Sequence, residues 1–196
     1  IDTFNQELML RIMSDEDRLI EDADIQWYYK ADLLKNKAAY NFYITTDFAT
    51  SEKASADFSV ISVWAINHKG MVFYVDGICR KQLLDKSIDD LFIMCQRYNP
   101  MSVGIEVTGQ QGGFVQWIKQ EMMERNVFFN IASANNNSTP GIRPVSDKFG
   151  RFLLVTPWFK QQLIHFPLEL KSSPMLVEGL NELSLAAKGG FKSKHD

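Results

Sequence analysis

Phe42-Tyr43-Ile44-Thr45-Thr46-Asp47 is the stretch on which the fold turns. Aromatic and β-branched residues in a short run read as a strand, and this one ends on an acid. Downstream, Phe58-Ser59-Val60-Ile61-Ser62-Val63-Trp64-Ala65-Ile66 reads as a second strand and the run 71–79 as a third. The four residues between them, Asn67-His68-Lys69-Gly70, are turn formers, so strands two and three form an antiparallel hairpin. The period then changes. Leu84, Ile88, Leu91, Phe92 and Cys95 recur at helical intervals over 84–98, and Asn99-Pro100 stops that helix. Ser102-Val103-Gly104-Ile105-Glu106 is a short buried strand, again ending in an acid. Gly112-Gly113 opens a helix over 114–125, and 127–132 reads as a fifth strand. Three strands in succession, then strand–helix–strand, predict an α/β fold. The expected core is a mixed five-stranded sheet, three antiparallel leading strands plus two parallel, flanked by helices.

Outward from this block, residues 1–40 are dense in charge and read as helices. Residues 4–12 have helical spacing, Ser14 is an N-cap followed by Asp15, Glu16 and Asp17, and 22–29 continue in the same style. The expected organisation is a helical leader over 1–40 and a main domain over 41–196. Without a Met at position 1, the leader reads as the link from an upstream domain. After Ala132 a polar loop runs through Asn135-Asn136-Asn137-Ser138-Thr139-Pro140-Gly141. A helix near 146–155, a strand at 163–166 and a helix at 175–187 follow. The tail Lys188-Gly189-Gly190-Phe191-Lys192-Ser193-Lys194-His195-Asp196 is basic and rich in glycine.

Composition excludes several classes. The 196 residues, 45% hydrophobic and 23% charged, suit one globular domain with an appendage and exclude wholesale disorder. No apolar run approaches the roughly 18 residues that span a bilayer. The first residues lack the basic-then-apolar layout of a signal peptide. Cys79 and Cys95 have no CxxC spacing, so neither a disulfide framework nor a zinc site is expected, and a reducing cytoplasmic setting fits. A net charge of −3 excludes a uniformly basic coat but not a local basic groove. No GxxxxGK motif occurs and Gly112-Gly113 is not a phosphate loop, so the chain carries no ATP-driven motor.

Asp47 and Glu106 carry the chemistry. Both end predicted strands, and in open α/β sheets ligands gather at the carboxyl edge. A single strand-end acid also serves as a turn former or helix cap, but two on neighbouring strands would repel unless a proton or cation lies between them. Hard oxygen ligands suit Mg²⁺ or Mn²⁺. A third acid, Asp196, lies in the tail beside Lys192, Lys194 and His195. Two such metals clamp the attacking and leaving oxygens of a phosphodiester. Asp57 and His195 are candidates to support the metal ligands, and Thr108, Gln110 and Gln111 to touch a substrate backbone. His68 and His165 read as structural, and Trp64, Trp117 and Trp158 as core. Arg143, Lys148, Arg151, Lys188, Lys192 and Lys194 concentrate positive charge in the last third, where phosphate contacts would use it.

Taken together, these residues resemble the nuclease domain of the large terminase subunit of tailed bacteriophages. The resemblance rests on Ile44-Thr45-Thr46-Asp47-Phe48-Ala49 with Asp57-Phe58-Ser59-Val60, on Gly104-Ile105-Glu106 before Gly112-Gly113, and on the closing Lys194-His195-Asp196. The stretch 151–159 with Ile164-His165-Phe166-Pro167 is similar to the segment before that family's last helix. The resemblance implies a ribonuclease-H-like fold that cuts concatemeric double-stranded DNA during packaging, in the host cytoplasm. It implies metal-ligand and catalytic roles for Asp47, Glu106 and Asp196 with two divalent cations, and a portal protein and small terminase subunit as partners. Rival readings are a junction resolvase of the same fold and a non-catalytic module that docks on portal or DNA.

Overall fold

A computed structural model of the chain describes residues 18–49, 58–107, 112–133, 139–144 and 146–191. Their elements, in chain order, begin with β1 (Gln26–Tyr28), α1 (Lys30–Lys35), β2 (Tyr40–Asp47), β3 (Ser59–Asn67) and β4 (Val72–Arg80). Next come α2 (Leu84–Tyr98), β5 (Ser102–Ile105), α3 (Gly112–Arg125), α4 (Lys148–Lys160), β6 (Ile164–Pro167) and α5 (Pro174–Ser184). The two-residue strands β7 (Ala186–Ala187) and β8 (Gly190–Phe191) close the series. The chain forms two compact units, one from Ala31 to Val145 and one combining residues up to Lys30 with those from Ser146 on.

The unit 31–145 is built on a mixed sheet in the order β4-β3-β2-β5. β2, β3 and β4 are antiparallel and β5 runs parallel to β2, as the sequence predicts. Alternation sorts the residues. Phe42, Ile44 and Thr46 of β2 are buried with Ile61, Val63 and Ala65 of β3, while Thr45, Asp47, Ser62 and Trp64 lie on the more open face. α2 covers the buried face: Tyr98 stacks on Phe42 at 5.8 Å between ring centres and donates its hydroxyl to Asp76. Its expected apolar stripe is in place, with Ile88, Leu91, Phe92 and Cys95 buried. Burying each such side chain stabilises by roughly 1.5–3 kcal/mol. Asn99 ends the helix in the left-handed region, φ 46°. α3 sits on the same side, where Arg125 bonds Asp89 of α2 at 2.7 Å and covers the Phe92 ring.

The fifth expected strand, 127–132, is corrected by the structure. Ile131 makes one parallel bridge to Val103, with Asn130 and Ala132 supplying its hydrogen bonds at 2.8 and 2.9 Å. Further along the same edge, 141–142 takes over. The Ile142 N–H donates to Ile105 O and the Val107 N–H to Ile142 O, both at 2.8 Å. Two short segments share an edge that one strand was expected to fill, because β5 is too short to align a longer partner. With β1 and β6 in the other unit, six strands longer than two residues are present among the described residues.

In the other unit, β1 pairs parallel with β6, Trp27 opposite Phe166. Residues 22–29 are therefore not a continuing helix. Only Asp22–Asp24 form a 3-10 turn, and Gln26-Trp27-Tyr28 extend because Trp27 packs on Phe166 at 6.4 Å, with Lys171 over its ring. α4 is capped by Asp147, which accepts from the Gly150 N–H at 2.8 Å, and runs through Pro157 to Lys160, past its expected end at 155. Lys160 holds Glu21 and Asp24 at 3.1 and 2.6 Å. α5 starts at a Ser173 cap with Pro174 in its first turn, and ends at Ser184 because Ala186–Ala187 pair with Gly190–Phe191. Among the described residues no helix is long and apolar enough to cross a membrane.

Candidate metal centre

The β2–β5 register builds the site. Tyr43 faces Ser102, Ile44 faces Val103, Thr45 faces Gly104 and Thr46 faces Ile105. One further step brings Asp47 level with Glu106. In-register neighbours on parallel strands share a face and stand about 4.8 Å apart, so both carboxylates rise together from the carboxyl ends of adjacent strands. That face is the one opposite α2. Asp47 is exposed and Glu106 is half-buried.

The backbone under both acids is fixed. Thr46 Oγ1 donates to Gly104 O at 3.3 Å, a buried cross-link one residue before Asp47 and two before Glu106. After Asp47, Phe48 meets Phe114 of α3 edge-on at 5.2 Å, and the Ala49 N–H donates to the buried Ser59 hydroxyl at 3.1 Å. On the open face, Trp64 Nε1 donates to Thr45 Oγ1 at 3.2 Å. Beyond Glu106, the Val107 and Ile142 hydrogen bonds close the ladder. Gly104 gives Ile142 its room: a Cβ there would meet Ile142 Cδ1 at 2.9 Å. Gly141 must likewise be glycine. Its φ is +105°, and a Cβ would lie 2.6 Å from Val107 Cγ2.

The register thus leads Asp47 and Glu106 to adjacent positions, and the remaining expected ligand is not among the described residues. Asp196, His195, Asp57, Thr108, Gln110, Gln111, Lys192 and Lys194 lie outside the described residues. Among the described residues no group of three or more His, Cys, Asp or Glu is placed to hold a metal. Two hard carboxylates on one face match the donor chemistry of a divalent cation of the magnesium type. Arg143 follows the segment beside Glu106. Lys148 opens α4, Arg151 lies in its next turn, and Lys188 is exposed in the turn between β7 and β8. His68 lies in the β3–β4 turn, and His165 sits in β6 with Nδ1 3.2 Å from Leu163 O.

Two features escaped sequence reading. One is 141–142, hidden in a polar loop although Ile142 after a glycine was a signal. The other is the anchoring of the tail. Despite Gly189-Gly190, Phe191 is held in a hairpin and meets Phe149 and Phe152 edge-on at 5.5 and 5.3 Å.

The α/β fold, a mixed sheet flanked by helices with two acids at the carboxyl ends of adjacent parallel strands, agrees with the ribonuclease-H-like fold that the resemblance implies. No family model and no curated protein matches the chain. Solved structures do. The human cytomegalovirus terminase nuclease domain, soaked in manganese with an inhibitor bound, matches with a TM-score of 0.57 at 13% identity, over 84% of this chain and 83% of that one. The large terminase nuclease from thermophilic phage G20c with bound cobalt gives 0.51 at 12% identity, over 90% and 86%. With bound magnesium it gives 0.50 at 13% identity, over 91% and 87%. At such identities the likeness is one of fold.

Proposed function

We infer that this chain is the nuclease domain of a DNA-packaging terminase, a Mg²⁺- or Mn²⁺-dependent endonuclease that cuts concatemeric double-stranded DNA with little sequence preference. The observation that carries this reading is the parallel β2–β5 register, which runs to Thr46 and Ile105, the residues just before Asp47 and Glu106. The fold shared with nuclease domains that bind manganese, cobalt and magnesium supports it. Asp47 and Glu106 are the first two metal ligands, and Asp196 from the tail is the third. Divalent cations held there supply the charge that activates water and offsets charge developing on the phosphodiester. The chain's own part is positional. β2 and β5 fix both carboxylates on a rigid edge, and Phe48, Ser59 and Ile142 keep the chain around them from shifting. Arg143, Lys148, Arg151, Lys188, Lys192 and Lys194 contribute backbone-phosphate contacts, which carry affinity without reading sequence. The leader joins the domain to an upstream ATPase, and portal protein and small terminase subunit are its partners in the host cytoplasm.

Supercoiled plasmid tests the reading. Wild-type protein with Mn²⁺ is expected to nick and then linearise it without ATP, and chelation is expected to stop the reaction. Asp47→Asn and Glu106→Gln are expected to lose cleavage by 10²-fold or more while keeping the wild-type far-UV spectrum. A wild-type rate in either variant would remove that acid from the site. An inactive wild type with an unchanged melting temperature in Mn²⁺ would favour the docking module.

A further inference from the structure

Thr45 lies two residues before Asp47 on the same face of β2, the more open face of the sheet. Two steps along a strand put its Cα roughly 6.6 Å from that of Asp47. Its in-register neighbours are Ser62 on β3 and Gly104 on β5, both small. Trp64 stands opposite Tyr43, one same-face position further from Asp47. Its indole nevertheless reaches diagonally towards the carboxyl end of β2, where Nε1 donates to Thr45 Oγ1 at 3.2 Å. Trp64 is thus half-buried on the open face rather than a core residue, and Tyr74 meets its ring edge-on at 5.3 Å.

Thr45 is thereby fixed from both sides. Its Cγ2 lies 3.9 Å from where a Gly104 Cβ would stand, and its Oγ1 is held by the indole of β3. An indole N–H only donates, so Thr45 accepts in this bond and keeps its own hydroxyl hydrogen for another acceptor. Among the described residues that hydrogen has no acceptor, and Asp47, next along the same face, makes no hydrogen bond or ion pair through its carboxylate. A steered donor and a bare carboxylate therefore share one face with no direct bond between them. One water spans such a gap.

A carboxylate that ligates a metal needs an outer group to hold its orientation. Resting on Asp47 being a metal ligand, as inferred above, we propose that Thr45 is a positioning residue for Asp47. With Trp64 holding Oγ1, the hydroxyl donates through one water to the Asp47 carboxylate and keeps it turned for the cation. Trp64 acts only through Thr45. A purely structural role makes the opposite demand, because valine has the shape of threonine and suits a strand at least as well.

Calorimetric titration with Mn²⁺ reads this role without cleavage, and far-UV spectra and melting in EDTA follow the fold separately. Thr45→Val is expected to weaken Mn²⁺ binding roughly tenfold with its fold intact. Thr45→Ser keeps the hydroxyl and should bind as wild type. Trp64→Phe keeps a ring against Tyr74 but loses the N–H, and should weaken binding by a smaller factor. The double variant should bind no more weakly than Thr45→Val alone, because the indole has no separate route to the metal. Ser62→Ala removes the hydroxyl opposite Thr45 and should change nothing. Wild-type affinity in Thr45→Val, additive losses in the double variant, or an equal loss in Ser62→Ala would overturn the proposal. If Asp47→Asn loses Mn²⁺ while Thr45→Val keeps it, the metal centre stands and Thr45 has no part in it. No saturable Mn²⁺ binding to wild type would overturn both.

Discussion

At the scale of single residues, the centre depends on where side chains are absent as much as on where they are present. Gly141, where a Cβ would lie 2.6 Å from Val107 Cγ2, lets 141–142 close the edge beside Glu106, and at Gly104 a Cβ would meet the tip of the Ile142 side chain. Gly141→Ala therefore combines a φ of +105° with a collision against Val107. A left-handed non-glycine residue costs about 1–3 kcal/mol, and the collision adds to that. Urea titration of Gly141→Ala is expected to show a loss of about 2 kcal/mol or more. Cleavage should fall further than the folded fraction does, because Ile142 and Arg143 shift together. A variant as stable and active as wild type would show that the segment is free to rearrange.

At the scale of elements, the strands of 31–145 were legible because each obeys a local rule. β2 and β3 alternate, the β3–β4 turn is four residues long, and α2 has a clear apolar stripe. Where reading failed, tertiary pairing had overruled local pattern. The run 22–29 reads as helix, but Trp27 packs on Phe166 and 26–28 form a strand whose partner is some 140 residues away. In the same way 127–132 has strand composition, but β5 has room for only one bridge there. The tail hairpin leads to a test of its own. Asp196 follows Phe191 by five residue steps, a span of at most about 18 Å, so the Phe149–Phe152–Phe191 cluster limits where the proposed third ligand can go. Phe191→Ala is expected to cost about 1 kcal/mol in lost ring contacts. It should also weaken Mn²⁺ binding, whereas Phe191→Tyr should keep both near wild type. Unchanged metal affinity in Phe191→Ala would detach the hairpin from the site. A pH test belongs at this scale too. The Arg125 guanidinium, hydrogen-bonded to Asp89, holds that carboxyl below the usual range and ties α2 to α3. A depressed folded pKa contributes stability that is present above the unfolded value near 3.9 and lost as pH falls through the lower folded one. The stability gap between wild type and Asp89→Asn should therefore be constant from neutral pH down to about 5, and close below about 4. As the pair is partly exposed, the gap should be below about 1 kcal/mol. A gap that widened in acid would contradict this linkage.

At the scale of the whole molecule, the fold is recognisable where the sequence is barely similar: at 12–13% identity the chain is still superimposable over most of two viral nuclease domains. What is shared is the fold; in this chain four consecutive parallel partners between β2 and β5 end at Thr46 and Ile105, one residue before Asp47 and Glu106. Calorimetric titration with Mn²⁺ measures whether the Asp47–Glu106 pair binds a divalent metal. Saturable binding to wild type is expected, lost or weakened at least tenfold in both Asp47→Asn and Glu106→Gln, each with its fold intact. In the absence of metal, the same substitutions should raise the melting temperature slightly by relieving carboxylate repulsion. Mn²⁺ binding that is equally tight in wild type and in both variants would contradict the account.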